Sequence, residues 1–342
     1  MLTKVKNSSV KNASVSSALS WQQQLSEAIS SIAALCAYLN VALEDLPASV
    51  AALHDFPLRV PLSFAKQIEK GNPNDPLLKQ ILPISEELLN VADYTDDPVG
   101  DLSAAKVTGV IHKYQGRVLL INTGTCAIHC RYCFRRHFPY SDLQLSKQQE
   151  AAALTYIAED SSIKEVILSG GDPLLLSDAR LAKLLTALAS IPHIKRIRIH
   201  TRLPIVLPAR ITTELLAVLQ ACRAIVCVVT HCNHANELSA EVVTACRQLQ
   251  QQGLTVFNQA VLLKGVNDDV AVLIALSEQL FAAGVIPYYL HLLDKTRGTA
   301  HFNVDESRAV QLFTALQNSL PGYLVPRLVK EVAGAGAKQS IV

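Results

Sequence analysis

At 342 residues the chain has length for one large α/β domain or two ordinary ones, with half of its residues apolar and 18% charged. A net charge of +2 without clustered Lys and Arg argues against a nucleic-acid surface, and the most apolar early stretch, Ile29–Leu43, is interrupted by serines and Asn40 and falls short of a ~18-residue membrane span. The polar N-terminus lacks the continuous apolar segment of a secretory signal, which points to a cytoplasmic protein whose eight cysteines bind metal or pack in the interior rather than form disulfides.

Residues 1–116 read as a polar tail followed by a mostly helical region, with turn signals at Gly71-Asn72-Pro73 and Asp97-Pro98. From residue 117 onward short apolar runs alternate with amphipathic ones. Strands are expected at Val118–Asn122, Glu165–Ser169, Arg196–His200, Ile225–Thr230, Val256–Leu262 and Pro287–Leu292. Between them Leu181, Leu184, Leu185 and Leu188 share one helical face, as do Val242, Val243, Cys246 and Leu249, with Ser239 as N-cap and Gly253 beyond the end. Further helices follow Asn267 and Asp305, and an extended stretch, Tyr323–Val332, leads into a Gly/Ala-rich tail. Six βα units in a row predict a partial parallel (β/α)6 barrel over residues 117–342, preceded by a helical extension.

In such barrels the chemistry sits at the C-terminal strand ends. Here the first expected strand runs into GTCAIHCRYCFRR, the second ends in Ser169-Gly170-Gly171-Asp172, the third in His200-Thr201-Arg202 and the fourth in Thr230-His231. Asn258 and Gln259 lie in the fifth, and Asp294 follows the sixth. Cys126, Cys130 and Cys133 supply three thiolates, which leaves one iron of a [4Fe–4S] cluster open to a small molecule. Arg131, Arg135, Arg136 and His137 are placed to offset the cluster's charge, while a zinc knuckle completed by His129 or His137 is the competing interpretation.

The CxxxCxxC loop resembles that of the radical S-adenosylmethionine superfamily, and Ser169-Gly170-Gly171-Asp172-Pro173 resembles its glycine-rich segment near the methionine amino group. Across residues 55–342 the segments FPLRVPLSFAKQIEKGNPNDPLLKQ, ILSGGDPLLLSD, THCNHANE, NQAVLLKGVND and YYLHLLDKTRGTAHF are similar to lysine 2,3-aminomutases. That resemblance implies an isomerase that uses a [4Fe–4S] cluster, S-adenosylmethionine and pyridoxal phosphate to convert L-lysine to β-lysine. It assigns Lys338, after Gly334-Ala335-Gly336-Ala337, as the Schiff-base lysine, and Arg117 to the phosphate with Lys113 and Tyr114 beside it. Arg135 falls to the substrate carboxylate, Asp294 and Glu331 to the distal ammonium, and His231 and Gln259 to the neighbourhood of S-adenosylmethionine.

Glu331 stands where the family has an aspartate, and the chain ends four residues after Lys338, where the larger clostridial enzymes continue into a zinc-binding, subunit-assembling extension. Both features resemble the short bacterial form that makes (R)-β-lysine for the modification of elongation factor P. The resemblance further implies a flavodoxin or ferredoxin as electron donor and a functional link to the ligase that acts on elongation factor P. The rivals are a different radical enzyme, such as another amino-acid mutase or an activase, and a non-catalytic Fe–S or zinc module. Cys222, Cys227, Cys232 and Cys246 are expected to be packing residues.

Overall fold

The computed structural model describes residues 19–140 and 147–342. Its centre is one ten-stranded sheet in strictly sequential order: β1 (Ala105–Val107), β2 (Val110–Tyr114), β3 (Arg117–Thr123), β4 (Glu165–Gly170), β5 (Arg196–His200), β6 (Ile225–Thr230), β7 (Thr255–Val261), β8 (Ile286–His291), β9 (Arg327–Lys330) and β10 (Gln339–Ser340). Neighbours from β3 to β9 pair in parallel, whereas the contacts β1–β2, β2–β3 and β9–β10 are antiparallel. The sheet is thus a mixed, partial barrel, with the antiparallel strands at its two ends.

Helices cross over between the parallel strands, and the reason is legible in each segment. Asp178–Ala189 buries Leu181, Leu184, Leu185 and Leu188 and is capped by Ser177; Ala240–Gln251 buries Val242, Ala245, Cys246 and Leu249 and is capped by Ser239. Thr213–Gln220, Val270–Ala282 and Glu306–Ser319 bury comparable faces. Along β5 the isoleucines Ile197 and Ile199 are fully buried in the main core, while Arg198 and His200 line the internal cavity. This period of two separates a greasy outer face under the helices from a polar inner one.

The six expected strands form within about a residue of their expected ends. The sheet itself, however, begins before residue 117. Val110–Tyr114 and Ala105–Val107 extend it as antiparallel edge strands, and Arg327–Lys330 adds a seventh parallel one. The preceding region folds into helices of four to eight residues, among them Ile32–Leu39, Leu62–Ala65 and Pro76–Lys79, joined by turns. Their Leu35, Leu39, Phe64, Leu77 and Leu78 are fully buried in the same core as the strands. No helix among the described residues is long and apolar enough to cross a membrane.

An ionic clasp fixes this region to the cysteine loop. Glu87 is buried and accepts from Arg131 Nε at 2.8 Å, from Arg131 Nη2 and from Arg136 Nη2 at 2.6 Å. Arg131 also donates to Phe56 O at 2.7 Å, and Arg136 to Gly298 O at 3.0 Å. Two of the three arginines expected to offset a cluster's charge, Arg131 and Arg136, are therefore committed to Glu87. Removing the shared carboxylate charge leaves two buried cations unpaired, a defect that costs about 3–5 kcal/mol in comparable sites. Glu87→Gln should lower the stability read from urea unfolding by an amount of that order; a midpoint equal to wild type would refute the clasp.

Candidate active site

The inner face of the sheet encloses a cavity of about 520 Å³, within the range of small-molecule sites. The three cysteines and every residue assigned above to a cofactor or the substrate lie on its wall, whereas His129 and His137 do not. The three cysteines, Lys338, Arg117, Arg198 and Arg327 all line it, Arg117 and Arg327 as the first residues of β3 and β9 and Arg198 from the middle of β5.

The cysteine loop leaves β3 and is held from outside by the N-terminal region. Arg59 Nη1 donates to Cys126 O at 3.2 Å, and His129 and Arg131 donate main-chain N–H groups to Arg59 O and Gln80 O. Burial pushes the Cys126 and Cys133 thiols up, Cys133 to about 11, and the neighbouring cysteines add to the effect. His129 and His137, the possible fourth zinc ligands, bond instead to Pro57 O at 2.9 Å and Arg297 O at 3.1 Å. Among the described residues no three His, Cys, Asp or Glu side chains are gathered for a single metal ion. A four-iron cluster asks less convergence, because each thiolate meets a different iron.

The glycine-rich turn after β4 is pressed against that loop. Gly171 N–H donates to Thr123 O at 2.8 Å and Asp172 N–H to Thr125 O at 2.7 Å. A Cβ on Gly171 would stand 2.1 Å from Thr125 O, and Gly170 has φ +115°, so both positions require glycine. The side chains here organise the wall. Ser169 Oγ accepts from Arg135 Nη1 at 3.1 Å. Asp172 accepts from Thr201 Oγ1 at 2.6 Å and from the main-chain N–H groups of Arg202 and Leu174.

Glu331 directly follows β9 and Lys338 directly precedes β10. The β9–β10 register pairs Lys330 with Gln339 and Val329 with Ser340, so the next rung sets Glu331 opposite Lys338. Lys338 Nζ donates to Glu331 Oε2 at 2.6 Å and lies 5.9 Å from the centroid of Tyr289. Glu331 also accepts from Tyr114 OH at 2.9 Å and Lys113 Nζ at 3.3 Å. Lys113 in turn meets Asp101 at 2.5 Å, and Asp101 accepts from Arg135 Nε at 2.7 Å. Burial pushes Glu331 up, but Lys338 and Lys113 outweigh it and bring the carboxyl down to about 2. Asp294, which has no ion-pair partner among the described residues, is raised by burial to about 7 against the pull of Lys338.

The guanidinium of Arg117 lies over the Tyr114 ring at 4.5 Å and has no ion-pair partner among the described residues. Gln259 Nε2 reaches His231 Nε2 at 3.1 Å. Burial, then Arg202, holds His231 neutral, down to about 3, and the buried Nε2 of His200 has no hydrogen-bond partner among the described residues. Asp101 and Arg202 are wall residues whose roles no sequence pattern announces. Asp101 lies in an irregular turn with no periodic context; Arg202 sat at a strand end, which was its only signal.

A sequence-family model described as the Radical SAM superfamily matches residues 120–276. The L-lysine 2,3-aminomutase of Haemophilus influenzae is 46% identical over 314 residues, covering 92% of this chain and 93% of that protein. That of Escherichia coli is 46% identical over 319 residues, 93% of each. The one from Clostridium subterminale is 34% identical over 323 residues, 94% of this chain but 77% of its own length.

The approach of Gly171 to Thr125 makes a direct expectation. Gly171→Ala sets a methyl group against backbone that leads into Cys126, an overpacking worth about 1–3 kcal/mol or more. Iron retained after anaerobic reconstitution should drop well below wild type while far-ultraviolet dichroism is kept. Gly322→Ala, where the added carbon meets open space, should leave iron content unchanged.

Proposed function

Because this chain belongs to the lysine 2,3-aminomutase family of the radical S-adenosylmethionine superfamily, we propose that it is the isomerase that interconverts L-α-lysine and β-lysine in the cytoplasm. The observation that carries the proposal is the meeting, in one cavity, of the cysteine triad and a lysine already held on a carboxylate opposite it. The (R) product, supply of elongation factor P modification through its ligase, and reduction by a flavodoxin or ferredoxin are parts of the same reading, and rest on likeness to the short bacterial form.

The residues present fit the three groups the family uses. Cys126, Cys130 and Cys133 would hold a [4Fe–4S] cluster. The walls formed by Gly170, Gly171, His231 and Gln259, with the orphaned His200 Nε2, would receive S-adenosylmethionine. Lys338 would carry pyridoxal phosphate, with the unpaired Arg117 guanidinium at its phosphate and Lys113 and Tyr114 at its side. When bound, the cluster supplies an electron, S-adenosylmethionine a carbon radical that takes hydrogen from the lysine β-carbon, and pyridoxal phosphate the conjugated ring that carries the migrating nitrogen.

The chain's own part is to bind, orient and shield. Arg135, fixed through Nε by Asp101 and through Nη1 by Ser169, keeps Nη2 for the substrate carboxylate. Glu331 already binds one alkylammonium, that of Lys338, and the distal ammonium of substrate lysine is the same chemical group. Asp294 supplies the second carboxylate from the loop after β8. The neutral imidazoles of His200, His231 and His291 and the ring of Tyr289 bring little charge to the space between, where a radical must be kept from water and from side reactions.

Anaerobic turnover of labelled L-lysine, with cluster, S-adenosylmethionine, pyridoxal phosphate and reductant, should give labelled β-lysine over many cycles with little net 5′-deoxyadenosine. Chiral chromatography should show the (R) form. Lys338→Ala should abolish turnover and alter the pyridoxal absorption at unchanged iron content. 5′-Deoxyadenosine without β-lysine would favour a different radical enzyme, and stoichiometric zinc without iron would favour a binding module.

The pH dependence follows from Asp294. An ammonium is attracted by the carboxylate, and the group stands near about 7, so its contribution to lysine binding is present above that pH and lost below it. The ratio of wild-type to Asp294→Asn lysine affinity should shrink toward one as pH falls through about 7, by at most about tenfold per unit. A ratio that stays constant across that range would remove Asp294 from the ammonium site.

A further inference from the structure

Arg202, two residues beyond the end of β5, has no task in the scheme above, yet its side chain and backbone are held at several points. It is buried, and its Nη2 donates to Glu237 Oε2 and Gln80 Oε1, each at 2.8 Å. Its main-chain N–H is held by Asp172 Oδ2 at 2.7 Å, and its guanidinium lies within 6 Å of the Phe64 and Tyr132 ring centroids. The anchors are themselves fixed. Glu237, fully buried, accepts at Oε1 from Asn233 N–H, His234 N–H and Gln80 Nε2, and Gln80 Oε1 also accepts from Asn233 Nδ2. Arg202 Nε is buried without a hydrogen-bond partner among the described residues, and Nη1 is aimed at one cysteine of the triad: Nη1 to Cys130 Sγ is 2.7 Å.

We propose that Arg202 is a tuning residue for the iron–sulfur cluster, donating a charged hydrogen bond to the Cys130 sulfur and thereby raising the cluster's reduction potential. The inference rests on the cluster reading above. One-electron reduction adds negative charge to a cluster already anionic, and a cation with an N–H on a ligating sulfur stabilises the reduced form more than the oxidised one. The donor is preorganised, because Glu237, Gln80 and Asp172 hold it in place before any cluster arrives, so no ordering cost falls on the redox step. The same arrangement gives Asp172 a purpose that its place in the glycine-rich turn does not reveal. It couples the turn against the cysteine loop to the arginine that faces the cysteine.

The test is an EPR-monitored redox titration of wild type, Arg202→Gln and Arg202→Lys, each reconstituted anaerobically, poised with dithionite and mediators and measured without lysine. Arg202→Gln should lower the ratio of reduced to oxidised cluster at a fixed potential about tenfold, which is 59 mV for one electron. Arg202→Lys, which keeps the charge but cannot span Glu237 and Cys130 with a planar fork, should shift the same way by less. A cluster-loaded variant that titrates with the wild-type potential overturns the proposal. So does failure of both variants to retain iron, since Arg202 would then hold the loop rather than tune the cluster. Absence of a reduced [4Fe–4S] signal in the wild type would instead overturn the reading of the cysteine triad itself.

Discussion

A row of alternating charges runs through the barrel and everything else in the site is arranged around it: Lys338, Glu331, Lys113, Asp101 and Arg135 in succession, with contacts of 2.5–3.3 Å. Isolated charges could not be kept on the inner wall of a sheet whose outer face is a hydrocarbon core. Placed in alternation, each is compensated by its neighbours. Burial tends to raise Asp101, yet Arg135 and Lys113 hold its carboxyl below the ordinary range. The row also crosses the architecture, since its members come from the β9–β10 hairpin, the antiparallel strand β2, an N-terminal turn and the cysteine loop. A charged ligand entering such a row exchanges partners rather than burying new charge.

That row explains why the edges of the sheet lie where they do. β2 carries Lys113 and Tyr114 in to meet Glu331, and β10 exists as two residues whose pairing holds Lys338 opposite the same carboxylate. Neither strand has the apolar run of a core strand. Val110–Tyr114 has only Val110 and Ile111 buried and Gln339–Ser340 is two exposed residues, so little in their composition competes with a reading as loop or tail. The six central strands were legible because both the buried outer face and the polar strand ends left a pattern. β9, four residues preceded by a proline at 326, could be recognised only as extended.

The site was legible in its residue types and much less so in its partnerships. The cysteine triad and the glycine-rich turn announce themselves by local spacing. Arg131, Arg135 and Arg136 look alike in CRYCFRR, but the fold sends the first and third to Glu87 and only the second to the cavity wall. No local rule separates them, because the choice depends on a carboxylate more than forty residues earlier. Asp101 and Arg202 were hidden for the same reason: the contacts that define them join residues 12 to 122 positions apart. Charge pairing of that kind is a property of the folded wall.

The seven-residue spacing between Glu331 and Lys338 now has a physical content that a motif comparison does not contain. It is the length of hairpin that returns the chain to the facing rung, so the carboxylate and the amine are cross-strand neighbours whatever occupies the turn. Glutamate is the longer acid, and in this geometry its second oxygen reaches Lys338 while the first stays with Tyr114 and Lys113. On the proposed function, Lys338 must leave this carboxylate to carry the cofactor, and its departure opens the position that a substrate ammonium requires. One carboxylate then serves two amines in turn, and the hairpin ensures that whichever amine is not engaged in chemistry has a counter-charge within reach. The neighbouring Asp294, raised to about 7, is the acid that can adjust when both amines are present, since it can gain or lose a proton at little cost where Glu331 cannot.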